Sequence, residues 1–187
     1  MGRFALSPNA VGGRSLPPEL AEEGGRGQSH HVTQPDPPAL RVLTELGIAH
    51  AVRTHGRVSS LEEAAAARGV EPERLIKTLV VRRAEEDYLL VLVPGKRVIS
   101  WPKLRTLLGV NRISMPDAAE ALEVTGYERG TITPFGTTRE LPVIADERLA
   151  GVEVSIGGGA HGVGVLLDGD ALIEATGATV ADVTDPE

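Results

Sequence analysis

The sequence predicts an α+β domain built on a mixed, barrel-like β-sheet with surrounding helices. Short apolar strands recur along the chain, and some of them arrive as hairpins: residues 77–83 are followed directly by 88–93, and residues 152–156 by 163–167. Helical segments lie between the strands without the strict βαβ alternation of a doubly wound sheet. No repeat of about 20–50 residues is visible, so one domain accounts for the patterned part of the chain.

The helices follow from their start and stop signals. Leucines recur at every third position across residues 40–46, which predicts a helix that begins at Pro38 and that Gly47 stops. Ser60, three residues before Glu63, is the signature of a capping box at the start of a second helix. The predicted helices are 38–46, 60–68, 103–108, 117–123 and 170–176, with a short helical turn at 73–76.

The strands are runs of β-branched and aliphatic residues bounded by turn residues. The acidic turn 85–87 joins the second and third predicted strands as a hairpin, and Pro94 with Gly95 ends the second strand of this pair. The predicted strands are 49–54, 77–83, 88–93, 112–114, 142–145, 152–156 and 163–167.

Composition sets limits on the organisation and class of the protein. Residues 1–37 mix glycine, proline, serine and charges without a hydrophobic period, so we predict a disordered N-terminal extension followed by one domain over residues 38–187. The chain contains no cysteine, and its formal net charge is −7, which argues against a broad nucleic-acid footprint. No apolar run approaches the roughly 20 residues of a membrane helix. We expect a soluble, cytoplasmic protein without a membrane or DNA partner.

The loop over residues 124–136 is the first candidate functional feature. It contains three glycines, one proline and two aromatic residues, in a protein with only two Tyr, two Phe and one Trp. Glycine allows the backbone to approach a ligand closely, and proline fixes the chain around it. The loop is therefore either a shaped binding loop or a plain connection between strands.

A second feature is the glycine-rich segment 157–162, which we call the glycine hairpin. It formally matches the dinucleotide pattern G-x-G-x-x-G, but a strand follows it where that motif requires a helix. We therefore reject a dinucleotide site. Its backbone N–H groups could hold an anion or a carbonyl oxygen, or the segment could be a flexible turn.

The third feature is a single lysine, Lys77, at the start of the apolar strand 77–83. A lysine in this place can direct its ammonium to a cleft while its stem packs on apolar neighbours. Taken alone, it is more often a solvated charge at the end of a strand.

Taken in order, these features resemble the YbaK/ProX family of aminoacyl-tRNA deacylases, which is similar to the editing domain inserted in bacterial prolyl-tRNA synthetases. The resemblance runs from about Pro38 to Asp185. The segments that carry it are the lysine strand from Lys77 to Val80, the loop Gly126 to Gly136, the run Leu141 to Asp146, and the glycine hairpin.

The resemblance implies hydrolysis of the ester between a wrongly attached amino acid and the terminal adenosine of tRNA, without metal or cofactor. It implies the aminoacylated acceptor end of tRNA as partner and leaves an aminoacyl-tRNA synthetase open as a second one. Lys77 matches the residue on which activity in the family most depends. The catalytic candidates are Lys77, Gly158, Gly159 and His161. The candidates for substrate binding are His55, Gly130, Pro134, Phe135, Gly136, Asp146, Gly157 and Gly162.

Three of these candidates also have an ordinary explanation. His161 could act as a general base, because the unperturbed pKa of histidine is about 6.5, or it could be an exposed turn residue. His55 could line the acyl pocket or satisfy a loop. Asp146 could orient Lys77 or a water molecule, or it could cap a helix.

The sequence leaves two other functions open. One is a non-catalytic module that binds aminoacyl-tRNA ends or a synthetase, and the other is a hydrolase of small aminoacyl esters. An enzyme that touches only the end of a tRNA needs few cationic contacts despite the acidic balance. The candidate phosphate contacts are Arg82, Arg83, Lys96, Arg97, Lys103, Arg105 and Arg112.

Overall fold

Across residues 36–187, the part of the chain that the computed structural model describes, five α-helices are distributed among nine strands. The prediction of a disordered extension over residues 1–37 therefore falls almost entirely outside the described residues. The elements in chain order are α1 (Pro38–Glu45), β1 (His50–Thr54), α2 (Leu61–Arg68), β2 (Ile76–Ala84), β3 (Asp87–Pro94), β4 (Val98–Ile99), α3 (Trp101–Leu108), α4 (Ala118–Thr125), β5 (Val143–Asp146), β6 (Glu153–Gly157), β7 (Val163–Asp168), α5 (Gly169–Thr176), β8 (Thr179–Ala181) and β9 (Thr184–Asp185).

The helices begin within two residues of their predicted starts; α3 shows the largest difference, with Trp101 in place of residue 103. The Ser60 hydroxyl accepts a hydrogen bond from the Glu63 N–H at 3.1 Å, and the Glu63 carboxylate accepts one from the Ser59 N–H at 2.8 Å. This arrangement confirms the predicted capping interaction at the start of α2. None of the helices within residues 36–187 has the length and apolar character needed to cross a membrane.

The strands form three sheets, in the orders β1-β7-β6, β2-β3-β5-β8 and β4-β9. The pairs β3-β5 and β5-β8 are parallel, and the other pairs are antiparallel. A parallel bridge between Leu75 and Ser155 joins the start of β2 to β6. The predicted α+β class with a mixed sheet is therefore confirmed, although the described strands do not close into a barrel.

The central pair β2-β3 separates two apolar clusters. Ile76, Val80 and Leu92 contribute to the larger cluster, which α1, α4 and α5 also cover. Val81 and Val93 contribute to the smaller one, which α3 and β4 cover. Because helices or loops pack on both faces, β3 is buried from Tyr88 to Pro94, which is why its sequence is almost continuously apolar.

Some local predictions were wrong. Residues 112–114 form no strand, and only Ser114 makes an isolated bridge, to Arg82. The predicted turn 73–76 is a 3-10 turn over Pro72–Arg74, after which Ile76 already belongs to β2. The strands β4, β8 and β9 were not predicted, because two or three residues are too few to show a period of two.

Candidate active site

Lys77 is the second residue of β2, and its ammonium is anchored within the protein. The side chain is half-buried, and Nζ donates a hydrogen bond to the carbonyl oxygen of Arg97 at 2.6 Å. Burial lowers the pKa of Lys77 from its ordinary value, and the negative charge of Glu187 opposes that shift. The geometry favours a positioned ammonium over a freely solvated surface charge.

The carbonyl that accepts from Lys77 belongs to a residue that is itself held firmly. Arg97 Nε donates to the Thr184 hydroxyl at 2.6 Å, and Arg97 Nη2 donates to the Thr184 carbonyl at 3.1 Å. The hydroxyl of Thr184 is fully buried and donates in turn to Asp146 Oδ2 at 2.7 Å. A chain of hydrogen bonds thus connects Asp146 to the acceptor of Lys77.

Asp146 contributes to the site only indirectly, through this chain of hydrogen bonds. Its fully buried carboxylate accepts from the Arg148 N–H at 3.1 Å and so caps the 3-10 turn Glu147–Leu149, and it also forms an ion pair with the Arg148 guanidinium at 2.9 Å. The capping alternative is therefore what the structure shows. Direct orientation of Lys77 by Asp146 was the wrong alternative, because Thr184 and Arg97 lie between them.

A cavity of about 620 Å³ lies beside Arg97. Its charged lining is mostly cationic and consists of Arg74, Lys96, Arg97 and Arg148, with Glu73 and Glu187 as the acidic members. Lys96 is paired with Glu62, and Arg148 with Asp146 and Asp182, so acids balance much of this positive charge. Among residues 36–187, no group of three or more His, Asp or Glu side chains is arranged to hold a metal ion.

The glycine hairpin connects β6 to β7, and one of its backbone N–H groups already donates a hydrogen bond within the hairpin. The Gly158 N–H donates to the Val163 carbonyl at 2.9 Å, so that it is not free to bind an oxyanion as we had predicted. The N–H groups of residues 159–162 meet no acceptor within the described part of the chain. Within the glycine hairpin, the backbone N–H groups available to a ligand are therefore those of its tip, residues 159–162.

The structure brings the glycine hairpin and the predicted binding loop together. A Cβ on Gly157 would lie 2.9 Å from the Ile132 carbonyl oxygen, and one on Gly159 would lie 2.8 Å from the Tyr127 ring. Glycine is thus required at both positions by close packing, since a side chain would displace the loop.

Within the loop 124–136, the aromatic side chains are part of the hydrophobic core. Phe135 and Tyr127 are buried, and the Tyr127 hydroxyl donates to the Phe135 carbonyl at 2.8 Å and to the Gly136 carbonyl at 3.2 Å. Pro134 is partly buried next to them, whereas Gly130 is exposed, with a φ of +92° and open space around it. Of the four loop residues predicted to bind substrate, Gly130 is the most accessible.

Two buried hydroxyls, of Thr78 and Thr133, have no hydrogen-bond partner among the described residues. Thr78 follows Lys77 in β2, and Thr133 lies in the loop. A buried hydroxyl without a partner costs about 1–3 kcal/mol, so each such group needs an explanation, such as an ordered water or a functional role. Neither threonine was predicted, because nothing in a sequence marks a hydroxyl as unpaired.

The two predicted histidines meet at one cavity of about 560 Å³, lined by His55, Arg57, His161 and Gly162 among others. The backbone N–H of His55 donates to the Gly162 carbonyl at 2.8 Å, which connects the end of β1 to the glycine hairpin. His55 Nε2 accepts from Arg68 Nε at 3.2 Å, so its proton resides on Nδ1, which lies 2.8 Å from the Gly56 carbonyl oxygen. His161 is 71% exposed and lies 2.9 Å from Glu128, as expected for a turn residue.

The structure separates the Lys77 ammonium from the tip of the glycine hairpin. The Leu75–Ser155 bridge places the two backbones side by side, with Lys77 and Gly157 each two residues beyond it. The ammonium, however, turns to Arg97, and the cavity beside Arg97 shares no lining residue with the histidine cavity. In this arrangement Lys77 and the hairpin donors do not face one common cavity, contrary to our prediction.

Residues 55–175 match the family model of the aminoacyl-tRNA editing domain. The chain belongs to this family. The match confirms the family and the enzyme class that the order of motifs predicted.

The curated relatives of this chain include proline–tRNA ligases and a proposed deacylase. The chain is 35% identical over 89 residues to a proline–tRNA ligase of Bacillus licheniformis, an alignment that covers 48% of this chain and 15% of the ligase. It is 26% identical over 129 residues to EbsC of Enterococcus faecalis, a proposed Cys-tRNA(Pro)/Cys-tRNA(Cys) deacylase, with 68% of this chain and 79% of EbsC covered. The chain therefore spans only a small part of the ligase but most of EbsC.

A solved structure shows the same fold over a whole chain. The crystal structure of a proposed trans-editing enzyme for prolyl-tRNA synthetase superimposes with a TM-score of 0.71 at 30% identity. The alignment covers 81% of this chain and 99% of the other.

Proposed function

We propose that this chain acts in trans to hydrolyse the ester between a wrongly attached, small amino acid and the terminal adenosine of a tRNA. The observation that carries the proposal is the half-buried Lys77 ammonium, anchored at 2.6 Å to the carbonyl of Arg97, which lines a cavity of about 620 Å³, in a member of the editing-domain family. The coverage of most of EbsC, which is named as a proposed deacylase, supports action in trans.

In this reaction a water molecule adds to the ester carbonyl carbon, and the bond from that carbon to the ribose oxygen breaks. A proton of that water passes to the leaving ribose oxygen, which becomes a hydroxyl, and the products are a free amino acid and tRNA. An aminoacyl ester is already activated, so the main task of the protein is to position it and to stabilise the developing oxyanion.

Lys77 is suited to that task. An ammonium has three N–H donors, and the Arg97 carbonyl accepts one of them. The other two can reach the ester carbonyl or an adjacent phosphate. The N–H groups of residues 159–162 lie at the separate histidine cavity, so we assign them to another part of the aminoacylated tRNA end rather than to the ester oxygen at Lys77.

The test is single-turnover deacylation of mischarged tRNA by the wild type, Lys77→Ala and Lys77→Arg. Loss of a preorganised charge contact should slow Lys77→Ala about 100-fold or more, by analogy with an oxyanion donor. Lys77→Arg keeps the charge but changes its shape and should also be impaired. Arg41→Ala, which removes an exposed charge on α1, is the control and should retain the wild-type rate.

The outcomes separate the competing functions. Wild-type rates in a folded Lys77→Ala variant would remove the lysine from the mechanism. Binding of aminoacyl-tRNA without turnover by the wild type would instead favour the non-catalytic module. A panel of alanyl-, cysteinyl-, seryl- and threonyl-tRNA tests the preference for a small amino acid; the synthetase partner and the cytoplasmic location stay predictions.

A further inference from the structure

The seven cationic candidates for phosphate contacts fall into two groups in the structure. Three are engaged where they stand: Lys96 pairs with Glu62, Lys103 with Asp182 and Asp185, and Arg97 with Thr184. The other four line a single cavity of about 720 Å³ between the end of β2 and the segment after α3. These four are Arg82, Arg83, Arg105 and Arg112.

Two of these four arginines already have acidic partners. Arg82 Nη1 lies 3.1 Å from Glu120 Oε1, and Arg83 Nη2 lies 2.7 Å from Asp87 Oδ1. These two acids offset part of the positive charge of Arg82 and Arg83.

The remaining two arginines leave the cavity with a net positive charge. Arg105 and Arg112 form no salt bridge with any acid within residues 36–187. Glu85 is the one acidic residue in the lining, which also contains Asn111 and Ser114. In a protein with a formal net charge of −7, this is a marked local reversal of sign.

We propose that this arginine cavity binds the phosphodiester backbone of the RNA whose acylated end reaches Lys77. The guanidinium group matches the geometry of phosphate with two parallel N–H donors, and it stays charged at all physiological pH values. The polar Asn111 and Ser114 side chains add donors that can contact phosphate or ribose oxygens.

The position of the cavity indicates a polymeric ligand. Arg82 lies five residues beyond Lys77 on β2, which at about 3.3 Å per residue separates the two Cα atoms by roughly 17 Å. A small aminoacyl ester at Lys77 does not reach that far, whereas a tRNA acceptor arm does. The inference rests on the proposed function, and it favours tRNA over a small ester as the substrate.

The experiment measures binding of uncharged tRNA by fluorescence anisotropy at several salt concentrations. The double variant Arg105→Ala/Arg112→Ala should weaken binding roughly tenfold and lower the slope of log affinity against log salt by about 1.4–1.8, because each lost phosphate contact removes about 0.7–0.9. The matched control Arg41→Ala/Arg53→Ala removes the same charge from exposed positions on α1 and β1 and should retain the wild-type slope.

A second pair of variants tests geometry against charge. Arg105→Lys/Arg112→Lys should keep most of the salt slope and lose part of the affinity, because lysine provides the charge without the paired donors. Single-turnover rates at saturating enzyme should stay at the wild-type value in both arginine variants, since the chemistry at Lys77 is untouched.

The results distinguish this inference from the proposed function. If Arg105→Ala/Arg112→Ala has the wild-type slope while Lys77-dependent hydrolysis is observed, the arginine cavity is not an RNA site and the proposed function stands. If the slope falls as expected but the wild type hydrolyses no aminoacyl-tRNA, the RNA site stands and the proposed function fails.

Discussion

The buried hydroxyl of Thr184 is the most informative group to remove, because it links the predicted catalytic lysine to the core. Thr184→Val keeps the approximate volume of the side chain and deletes only the hydroxyl. That hydroxyl makes two short hydrogen bonds to charged groups, at 2.7 Å to Asp146 and at 2.6 Å from Arg97.

The magnitude follows from these contacts. Hydrogen bonds to charged groups contribute about 1.5–3 kcal/mol each. Asp146 retains its ion pair with Arg148, and Arg97 retains its bond to the Thr184 carbonyl, so the loss is smaller than for two isolated bonds. We expect the free energy of unfolding to fall by about 2–4 kcal/mol, which for a domain of this size lowers the melting temperature by roughly 5–15 °C.

The effect on activity arises through Arg97. Without the Thr184 hydroxyl, the Arg97 side chain keeps only its bond to the Thr184 carbonyl, so the Arg97 carbonyl positions the Lys77 ammonium less firmly. We expect the single-turnover deacylation rate at saturating enzyme to fall about tenfold, equivalent to about 1.4 kcal/mol of lost transition-state stabilisation. Affinity for tRNA should change little, because Thr184 is buried.

Thr184→Ser is the control, because it keeps the hydroxyl and loses only a buried methyl group, worth about 1 kcal/mol. Its rate should be close to that of the wild type. A wild-type rate in folded Thr184→Val would show that Lys77 does not depend on this anchor. Equal rates in the serine and valine variants, both reduced, would assign the effect to packing and refute the hydrogen-bond argument.

Three further predictions concern other parts of the domain. Gly162→Ala should reduce the free energy of unfolding by about 1–3 kcal/mol, because Gly162 has a φ of +71° and a Cβ there would collide with the His55 carbonyl; urea denaturation with no measurable loss would contradict this. Tyr88 donates to Glu120 at 2.6 Å, which raises the pKa of Tyr88 to about 12 from an ordinary value of 10.0. The bond should therefore stabilise the fold below pH 10 and lose this effect as the pH rises toward 12. Ultraviolet titration of the phenolate should show a lower pKa in Glu120→Gln, and an unchanged titration would argue against the bond. Removal of residues 1–37 should leave melting temperature and deacylation nearly unchanged, and a large fall in either would show that this segment contributes to the domain.

Much of the fold could be predicted because its signals are local. Capping by Ser60, the apolar run of β3 and the position of the glycine hairpin each depend on residues close together in the chain, where backbone sterics and the period of burial act directly. Short strands such as β4 and β9 could not be predicted, because each exists only through its pairing with the other, over 80 residues away.

The same contrast between local and long-range signals applies to the candidate site. The sequence alone is enough to place Lys77 near the start of an apolar strand, to identify the segment 157–162 as a turn between strands, and to assign the order of these motifs to one family. The folded structure is needed to show that the Lys77 ammonium turns to the Arg97 carbonyl, that Thr184 holds Arg97, and that the loop aromatics fill the core. The physical reason is that such contacts join residues 20 to 87 positions apart, and their geometry is set by the packing of whole elements, which no local pattern of residue types encodes.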